Sequence, residues 1–269
     1  MPAEGESPKP KKKTYSDILE EEIESGSGEY ARPAAGLLLS GVSAGLDLGF
    51  SLLMMASALT IMHGDAVHPL TQRMMMAGGY AVGFLFVNLG RSELFTEHTT
   101  LMVFPVLNRS QTFGSMLRSW ALVYTGNLSG GAVLAISAAL FGRTFGLASP
   151  EALGEIASHL VDHSAGVILV SAVLAGWMMG LVSWLGSATS DTISRMVCVW
   201  LVTGAIGFAR LHHCIAGSVE VIAGLFGSPA VGFGDYLHFL VWATLGNVIG
   251  GMIFAGLKFA HSIHGPEND

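Results

Sequence analysis

Charged residues are scarce in this sequence. Asp, Glu, Lys and Arg together make up 12% of its 269 residues, about half of the roughly 25% that is usual in a soluble domain. Hydrophobic residues make up 51%, and the mean hydropathy is +0.55. Little charge combined with several apolar runs of about 18 residues or more is typical of a protein that crosses a membrane several times.

Cysteine and basic residues are also few. The two cysteines, Cys198 and Cys214, lie in apolar runs, so we expect buried thiols and no disulfide scaffold. The net charge of −7 argues against nucleic acid as a partner.

We predict no metal site and no cofactor, because consecutive residues such as His212 and His213 diverge on a helix and no further ligand set stands out. An enzyme is also disfavoured, since no Ser/His or paired-Asp arrangement has plausible spacing.

Six apolar segments divide the chain, and two of them are interrupted. They cover roughly residues 35–61, 71–104, 116–141, 165–185, 196–226 and 236–259. The second contains Arg91, Glu93, Glu97 and His98, and the fifth contains Arg210, His212 and His213. Because a charged side chain costs about 3 kcal/mol at the centre of a bilayer, we expect broken helices that turn these groups toward a cavity. An ordinary loop between two buried helices is the alternative for the first interruption.

The two halves of the chain carry matching motifs. Gly-Asn-x-x-Gly-Gly occurs at residues 126–131 and 246–251, in the third segment of each half. Six residues of these motifs are predicted to pack helices closely, namely Gly126, Asn127, Gly130, Gly246, Asn247 and Gly250. The interruptions match when Gly90 is set against Gly207, and Ser43 is echoed by Ser171. Three spans followed by three spans predict an inverted repeat with a transport site near the midplane.

The flanking segments are expected outside the membrane. Residues 1–33 form an N-terminal segment in which Thr14 and Asp17 have the spacing of a capping box. They predict a short amphipathic helix that ends at residues 26–28 and covers the protein's own surface or docks a partner. Residues 34–260 form one transport domain, residues 142–163 a polar loop, and residues 261–269 a tail. Lys and Arg in the short loops favour cytosolic termini.

These motifs together resemble the formate/nitrite transporter family. The resemblance lies in residues 93–96 (ELFT), 124–130 (YTGNLSG), 213–216 (HCIA) and 245–251 (LGNVIGG), and it covers about residues 34–260. It implies an all-α, aquaporin-like fold in the cell membrane, a homopentamer, and one pore per subunit for small monovalent anions or their conjugate acids, such as formate, nitrite or hydrosulfide. The resemblance places along the pore His213, His212, Thr96, Tyr80, Phe84, Phe95, Ile206 and Gly217.

Three positions depart from the pattern of that family. His212 stands where a glutamate is usual, Gly217 where an asparagine is usual, and no lysine lies near Leu160 at the start of the fourth span. Arg210 either supplies the missing positive charge or pairs with a carboxylate. Four charged groups are candidate charge partners in the interrupted spans and near them, namely Arg210, Glu93, Glu220 and Asp47. Asp47 either pairs with another group or lines the pore.

The sequence leaves three functions open. The leading hypothesis is a passive or proton-coupled anion channel, in which His213 exchanges protons, because the unperturbed pKa of histidine is about 6.5. A channel for small neutral solutes is the second hypothesis, although the paired Asn-Pro-Ala signatures of aquaporins are absent. The third is a membrane scaffold or sensor that has kept the fold and lost conduction.

Overall fold

The computed structural model describes residues 12–264, and every regular element within that range is an α-helix. In chain order the helices are α1 (Tyr15–Ala31), α2 (Ala34–Met62), α3 (Pro69–Gly90), α4 (Phe95–Leu101), α5 (Val103–Leu107), α6 (Phe113–Phe141), α7 (Pro150–Val161), α8 (Ala165–Ala188), α9 (Thr192–Ala209), α10 (Cys214–Gly227) and α11 (Phe233–His264).

The helices reproduce the predicted order of the spans and the predicted interruptions. Within residues 12–264, five helices are long and apolar enough to cross a bilayer, namely α2, α6, α8, α9 and α11. The second predicted span is divided between α3, of 22 residues, and the short α4, while the fifth is divided between α9 and α10. The prediction of an all-helical membrane protein with interrupted second and fifth spans is therefore confirmed.

The first and third spans of each half pack most extensively, as α2 against α6 and α8 against α11. Glycine permits this closeness. A Cβ atom on Gly130 would lie 2.0 Å from the carbonyl oxygen of Val42, and one on Gly250 would lie 2.1 Å from that of Val173. The same contact thus occurs once in each half, which agrees with an inverted repeat.

The N-terminal helix is longer than predicted. The capping box at Thr14 and Asp17 is formed, but α1 continues through residues 26–28 and ends only at Ala31. Gly26 does not end the helix, because it faces α4: a Cβ there would lie 2.5 Å from the carbonyl oxygen of Leu101. Its lack of a side chain permits close packing instead of breaking the helix.

The segment that the sequence predicted as a polar loop, residues 142–163, contains the helix α7. Ser149 caps it by accepting a hydrogen bond from the backbone of Ala152, and Pro150 occupies its first turn. Ser followed by Pro and Glu is a recognisable helix start, so the signal was present. The apolar face of α7 packs mainly on α10, and this burial stabilises so short a helix.

The helices α1 and α7 lie at opposite ends of the spanning bundle. The first leads directly into the start of α2, whereas the backbone N–H of Ser149, just before α7, donates to Thr60 near the end of α2 (2.9 Å). The two ends of α2 are about 40 Å apart. We call these two faces of the molecule the α1 side and the α7 side.

Hydrogen bonds attach α1 to the body of the protein. The hydroxyl of Tyr15 donates to the carbonyl of Lys258 (2.6 Å), and that of Tyr30 donates to the carbonyl of Met102 (2.7 Å). Glu22, on the same helix, is 1% exposed. Of the two roles weighed for this amphipathic helix, the structure therefore shows the one in which it covers the protein's own surface.

Candidate functional site

The two interrupted spans break in the same way. The helices α3 and α9 are each followed by an arginine in the left-handed conformation, Arg91 with φ of 55° and Arg210 with φ of 54°. In both, the backbone N–H reaches back to carbonyls three and four residues earlier. Because residues other than glycine seldom adopt positive φ, this repetition shows that the two breaks are equivalent.

One asparagine holds the first break in place. The side-chain oxygen of Asn127, on α6, accepts from the backbone N–H of Phe95 (2.8 Å). Its amide nitrogen donates to the carbonyls of Gly41 (2.9 Å) and Glu93 (2.8 Å). The side chain is fully buried, so these bonds replace the helical partners that the break removes.

A second asparagine performs the same task at the other break. The oxygen of Asn247, on α11, accepts from the N–H of Cys214 (2.8 Å). Its nitrogen donates to the carbonyls of Ala172 (2.8 Å) and His212 (3.0 Å). The asparagines expected to pack helices thus also satisfy the backbone of the interrupted spans, a role that the sequence motif alone did not reveal.

The equivalent positions of the two breaks differ from those matched in the sequence. The alignment of Gly90 with Gly207 is wrong by two residues, because the backbone places Arg91 in the position of Arg210. The alignment relied on identical glycine and leucine residues in the two breaks, because the backbone hydrogen bonds that set the true register cannot be read from one sequence. The corrected register sets an arginine at the end of each interrupted helix.

The predicted serine match also shifts. Ser40 accepts from the backbone N–H of Glu93 (3.0 Å), and Ser171 accepts from that of His212 (3.1 Å). The partner of Ser171 in the repeat is therefore Ser40, and the match with Ser43 is wrong. The serine matters because it supplies an acceptor to a backbone donor inside the break.

His213 lies between the two breaks and caps α10. Its Nδ1 atom accepts from the backbone N–H groups of Ile215 (3.3 Å) and Ala216 (3.1 Å). An acceptor nitrogen carries no proton, so the ring is the neutral tautomer with its proton on Nε2. Nε2 then donates to the hydroxyl of Thr96 on α4, 2.8 Å away, and both side chains are buried.

Aromatic rings surround this contact. Phe84 meets the ring of His213 edge to face at 5.2 Å, and Tyr80 lies 5.0 Å from Phe84. In the part of the chain that the structure describes, the buried hydroxyl of Tyr80 has no hydrogen-bond partner. Phe95, next to Thr96 in the chain, packs edge to face on Tyr124 at 4.7 Å. Phe84 therefore packs directly on the ring of His213, while the role of these rings as constrictions in a path stays a prediction.

A cavity of about 60 Å³ leads from the α7 side to His213. We call it the vestibule. Its apolar wall comprises Met55, Leu59, Met76, Tyr80, Ile156, Leu160, Ile206 and Leu211, and its polar wall comprises Gln72, Glu155, His159, Arg210, His213 and Glu220. Four of the predicted path residues line it, namely Tyr80, Ile206, His213 and Gly217. Four others lie outside its wall, namely Phe84, Phe95, Thr96 and His212.

Packing explains the two residues near His213 that depart from the family pattern, His212 and Gly217. His212 bonds through Nδ1 to the hydroxyl of Ser171 (2.8 Å) and through Nε2 to the carbonyl of Leu160 (3.1 Å), which ties the break to α7. At Gly217, a Cβ atom would lie 2.5 Å from the ring of Phe239. This fully buried phenylalanine fills the space, and nothing in the sequence singled it out.

Arg210 forms neither of the ion pairs that the sequence suggested. Its Nη1 donates to Nδ1 of His159 on α7 (3.2 Å). Glu93 pairs instead with Arg32 on the α1 side. Glu220 lines the vestibule, and among the described residues no ion pair joins it to Arg210. The proposed pairing is therefore wrong, because Glu93 lies at the other break and the guanidinium turns toward α7.

Asp47 lies away from the vestibule. Ser92, at the first break, places its hydroxyl 3.1 Å from the carboxylate of Asp47 and 3.2 Å from the hydroxyl of Ser43. Asp47 thus joins α2 to the break and does not line the vestibule. Of the two roles weighed for it, the structure shows pairing.

One cluster has donors suited to a cation. Glu29, Glu93 and His98 bring three ligand atoms within 4.8 Å of one another on the α1 side. Arg32, however, already donates to both carboxylates, and His98 bonds to Glu93. These groups neutralise one another, so the cluster works as a charged link between α1 and the first break.

Comparisons with known proteins agree with this architecture. The sequence profile described as Formate/nitrite transporter matches residues 16–260. The Escherichia coli inner membrane protein YfdC is 28% identical over 239 residues, which cover 87% of this chain and 74% of that protein.

Two solved structures share the fold. An "FNT family ion channel" superposes with a TM-score of 0.79 at 22% identity, over 92% of this chain and 99% of that one. A "pentameric formate channel with formate bound" superposes with a TM-score of 0.71 at 21% identity, over 84% and 96%. The family is one of membrane channels and transporters, not enzymes. With its profile matching nearly the whole chain, and with two matched breaks around one histidine, this protein belongs to the formate/nitrite transporter family of anion channels and transporters.

Proposed function

We propose that the protein passes small monovalent anions of weak acids, formate and nitrite foremost, through one path in each subunit. The observation that carries this proposal is the hydrogen bond between His213 and Thr96, which joins the two interrupted spans at the inner end of the vestibule. The family description and the formate-bound relative support the substrate class.

Desolvation determines the form in which the substrate crosses. A bare anion that enters the apolar rings around His213 loses its water at a cost of tens of kcal/mol by a Born estimate, and less after relaxation. The conjugate acid carries no charge, and burial favours it by raising the pKa of the substrate. We therefore propose that the anion takes a proton from hydronium that reaches the vestibule from bulk water, leaving a water molecule behind, and passes the constriction as the neutral acid.

His213 serves this passage as a neutral hydrogen-bond donor. Adding a proton to Nδ1 would break its two bonds to backbone N–H groups and would place a positive charge at the start of α10, where the helix dipole disfavours it. The Nε2–H group instead can turn from Thr96 to an oxygen of the substrate. This role replaces the proton exchange that histidine chemistry alone suggested.

A pair of variants isolates that donor. His213→Asn keeps an acceptor for the N–H groups at the start of α10 but has no atom in the place of Nε2, whereas His213→Ala loses both functions. We expect formate uptake into proteoliposomes to fall about tenfold in both, since a hydrogen bond to a charged or acidic partner contributes about 1.5 kcal/mol. Both variants lose the bond to Thr96, so His213→Ala should be less stable than His213→Asn by about 1 kcal/mol, the usual contribution of a cap.

The same vesicles test the neutral-acid step. Uptake should rise as the pH falls, and His213→Asn should keep that slope. A slope that disappears in His213→Asn would make the imidazole the proton carrier, and unchanged uptake by His213→Asn would remove His213 from the mechanism.

Assembly and orientation belong to the same proposal. We propose a homopentamer with both termini in the cytosol, so that the α1 side faces the cytosol. The related formate channel is described as pentameric, and the outer faces of α8, α9 and α11 expose large apolar side chains such as Leu174, Trp200 and Leu257. Native mass spectrometry in detergent gives the subunit number, and labelling of a cysteine placed before α1 in sealed cells gives the side.

Flux measurements in the same vesicles distinguish this proposal from two other functions. Glycerol or water flux without formate flux would indicate a channel for neutral solutes. Phe95, next to Thr96 in the chain, packs against Tyr124 and Trp120. The absence of flux for formate, nitrite and hydrosulfide would favour a scaffold or sensor.

A further inference from the structure

We infer that Arg210 forms an anion-capture site in the vestibule, where its guanidinium holds a small monoanion before the anion reaches His213. The inference deepens the proposed function and rests on it for the identity of the anion. The positive charge of the entry path then belongs to the second break, where Arg210 has a left-handed backbone and lines the vestibule.

The charge of Arg210 is not neutralised by a neighbour. Within residues 12–264 no carboxylate forms an ion pair with it, and the one hydrogen-bond partner of the guanidinium is His159. A guanidinium has five N–H donors, so most of them remain available to a ligand. Of the two carboxyl groups in the vestibule wall, Glu155 accepts from Gln72 (3.3 Å), whereas no side chain among the described residues bonds to the carboxyl group of Glu220.

His159 orients the guanidinium without adding charge. Burial and, to a smaller extent, the positive charge of Arg210 together lower the pKa of His159 to about 4. At neutral pH the ring is therefore uncharged, and its Nδ1 can accept the bond from Arg210. The side chain is thus held against α7, and it remains in the wall of the cavity that ends at His213.

The size and shape of the site select the ligand. A cavity of about 60 Å³ holds roughly four water-sized spheres, which suits an anion of three or four heavy atoms with little water. Formate and nitrite each present two oxygens in a planar fork, and that geometry matches the paired donors of a guanidinium. Larger carboxylates would have to leave their hydrocarbon part outside.

The test replaces the charge and keeps the backbone. Arg210→Gln should raise the KM for formate uptake about tenfold, because one fixed charge in a narrow cleft enriches counter-ions by at least that factor. The maximal rate should change less than twofold, since the constriction is untouched. Arg210→Lys should keep most of the affinity. Sodium gluconate, which screens charge, should raise the KM of the unaltered protein and leave that of Arg210→Gln unchanged.

Arg91→Gln is the matched control. Arg91 has the same left-handed backbone at the equivalent break, but it does not line the vestibule. It should leave the KM for uptake from the α7 side unaltered. If Arg91→Gln raises that KM as much as Arg210→Gln does, the effect comes from the backbone and the inference fails.

A binding measurement separates this inference from the proposed function. Formate should raise the unfolding temperature of the purified protein, and Arg210→Gln should lose that increase. Binding that depends on Arg210 without any flux would overturn the proposed function and keep the site. Flux with an unchanged KM, salt dependence and formate stabilisation in Arg210→Gln would overturn the site and keep the proposed function.

Discussion

Replacing Asn247 by aspartate tests whether the asparagines hold the breaks together. The change preserves shape but removes the amide donor, so the carbonyls of Ala172 and His212 lose their partner. A hydrogen bond between membrane helices contributes about 0.6 kcal/mol on average, whereas a buried backbone group without a partner costs about 1–3 kcal/mol. We expect a loss of about 2–6 kcal/mol, because neither carbonyl can find water in the membrane interior.

The inverted repeat provides an internal comparison. Asn127 donates to the equivalent carbonyls at distances of 2.9 and 2.8 Å, so Asn127→Asp should cost about the same as Asn247→Asp. Asn108 is exposed after α5, and Asn108→Asp should be neutral.

Thermal unfolding of the purified protein in detergent measures these effects. Since 1 kcal/mol shifts the unfolding temperature of a chain of this size by about 2–4 °C, each buried variant should melt at least about 4 °C lower. If both buried variants melt as Asn108→Asp does, the breaks do not depend on the side chains of Asn127 and Asn247.

Two further predictions concern the packing of the helices. Burial raises the pKa of Glu22 to about 7 from its usual 4.5, so docking of α1 is strongest below about pH 4.5 and weakens by about 3 kcal/mol as the pH rises through 7. Protease cleavage of α1 should accelerate over that range, and Glu22→Gln should remove the dependence. Gly250→Ala should lower the yield of folded protein, because the new Cβ would lie 2.1 Å from the carbonyl of Val173. Gly256→Ala, with open space around it, is the control, and an equal yield for both would contradict the close helix contact.

Hydrophobic patterning was enough to predict the architecture. Charged residues such as Arg91 and Arg210 inside apolar runs located both breaks, because membrane helices exclude them. The repeated Gly-Asn motif correctly identified the third spans of the two halves. Both signals are local in sequence and need no knowledge of contacts.

The details that escaped prediction depend on contacts between distant residues. Gly26 was expected to end α1, yet its small size serves packing against α4. The partner of Arg210 is His159, 51 residues away, and no pattern links the two. Phe239 lies against Gly217, the position at which an asparagine is usual in the family, and no pattern in one sequence links the two residues.

The short helices at the two ends are attached to the breaks by different chemistry. Arg32, just after α1, pairs with Glu93, while Leu160, on α7, accepts a neutral bond from His212. Added salt weakens attraction between full charges more than it weakens a buried neutral bond. One end of the molecule therefore carries a charged contact and the other a neutral one, and added electrolyte weakens the pair of Arg32 and Glu93 more than the bond from His212 to Leu160.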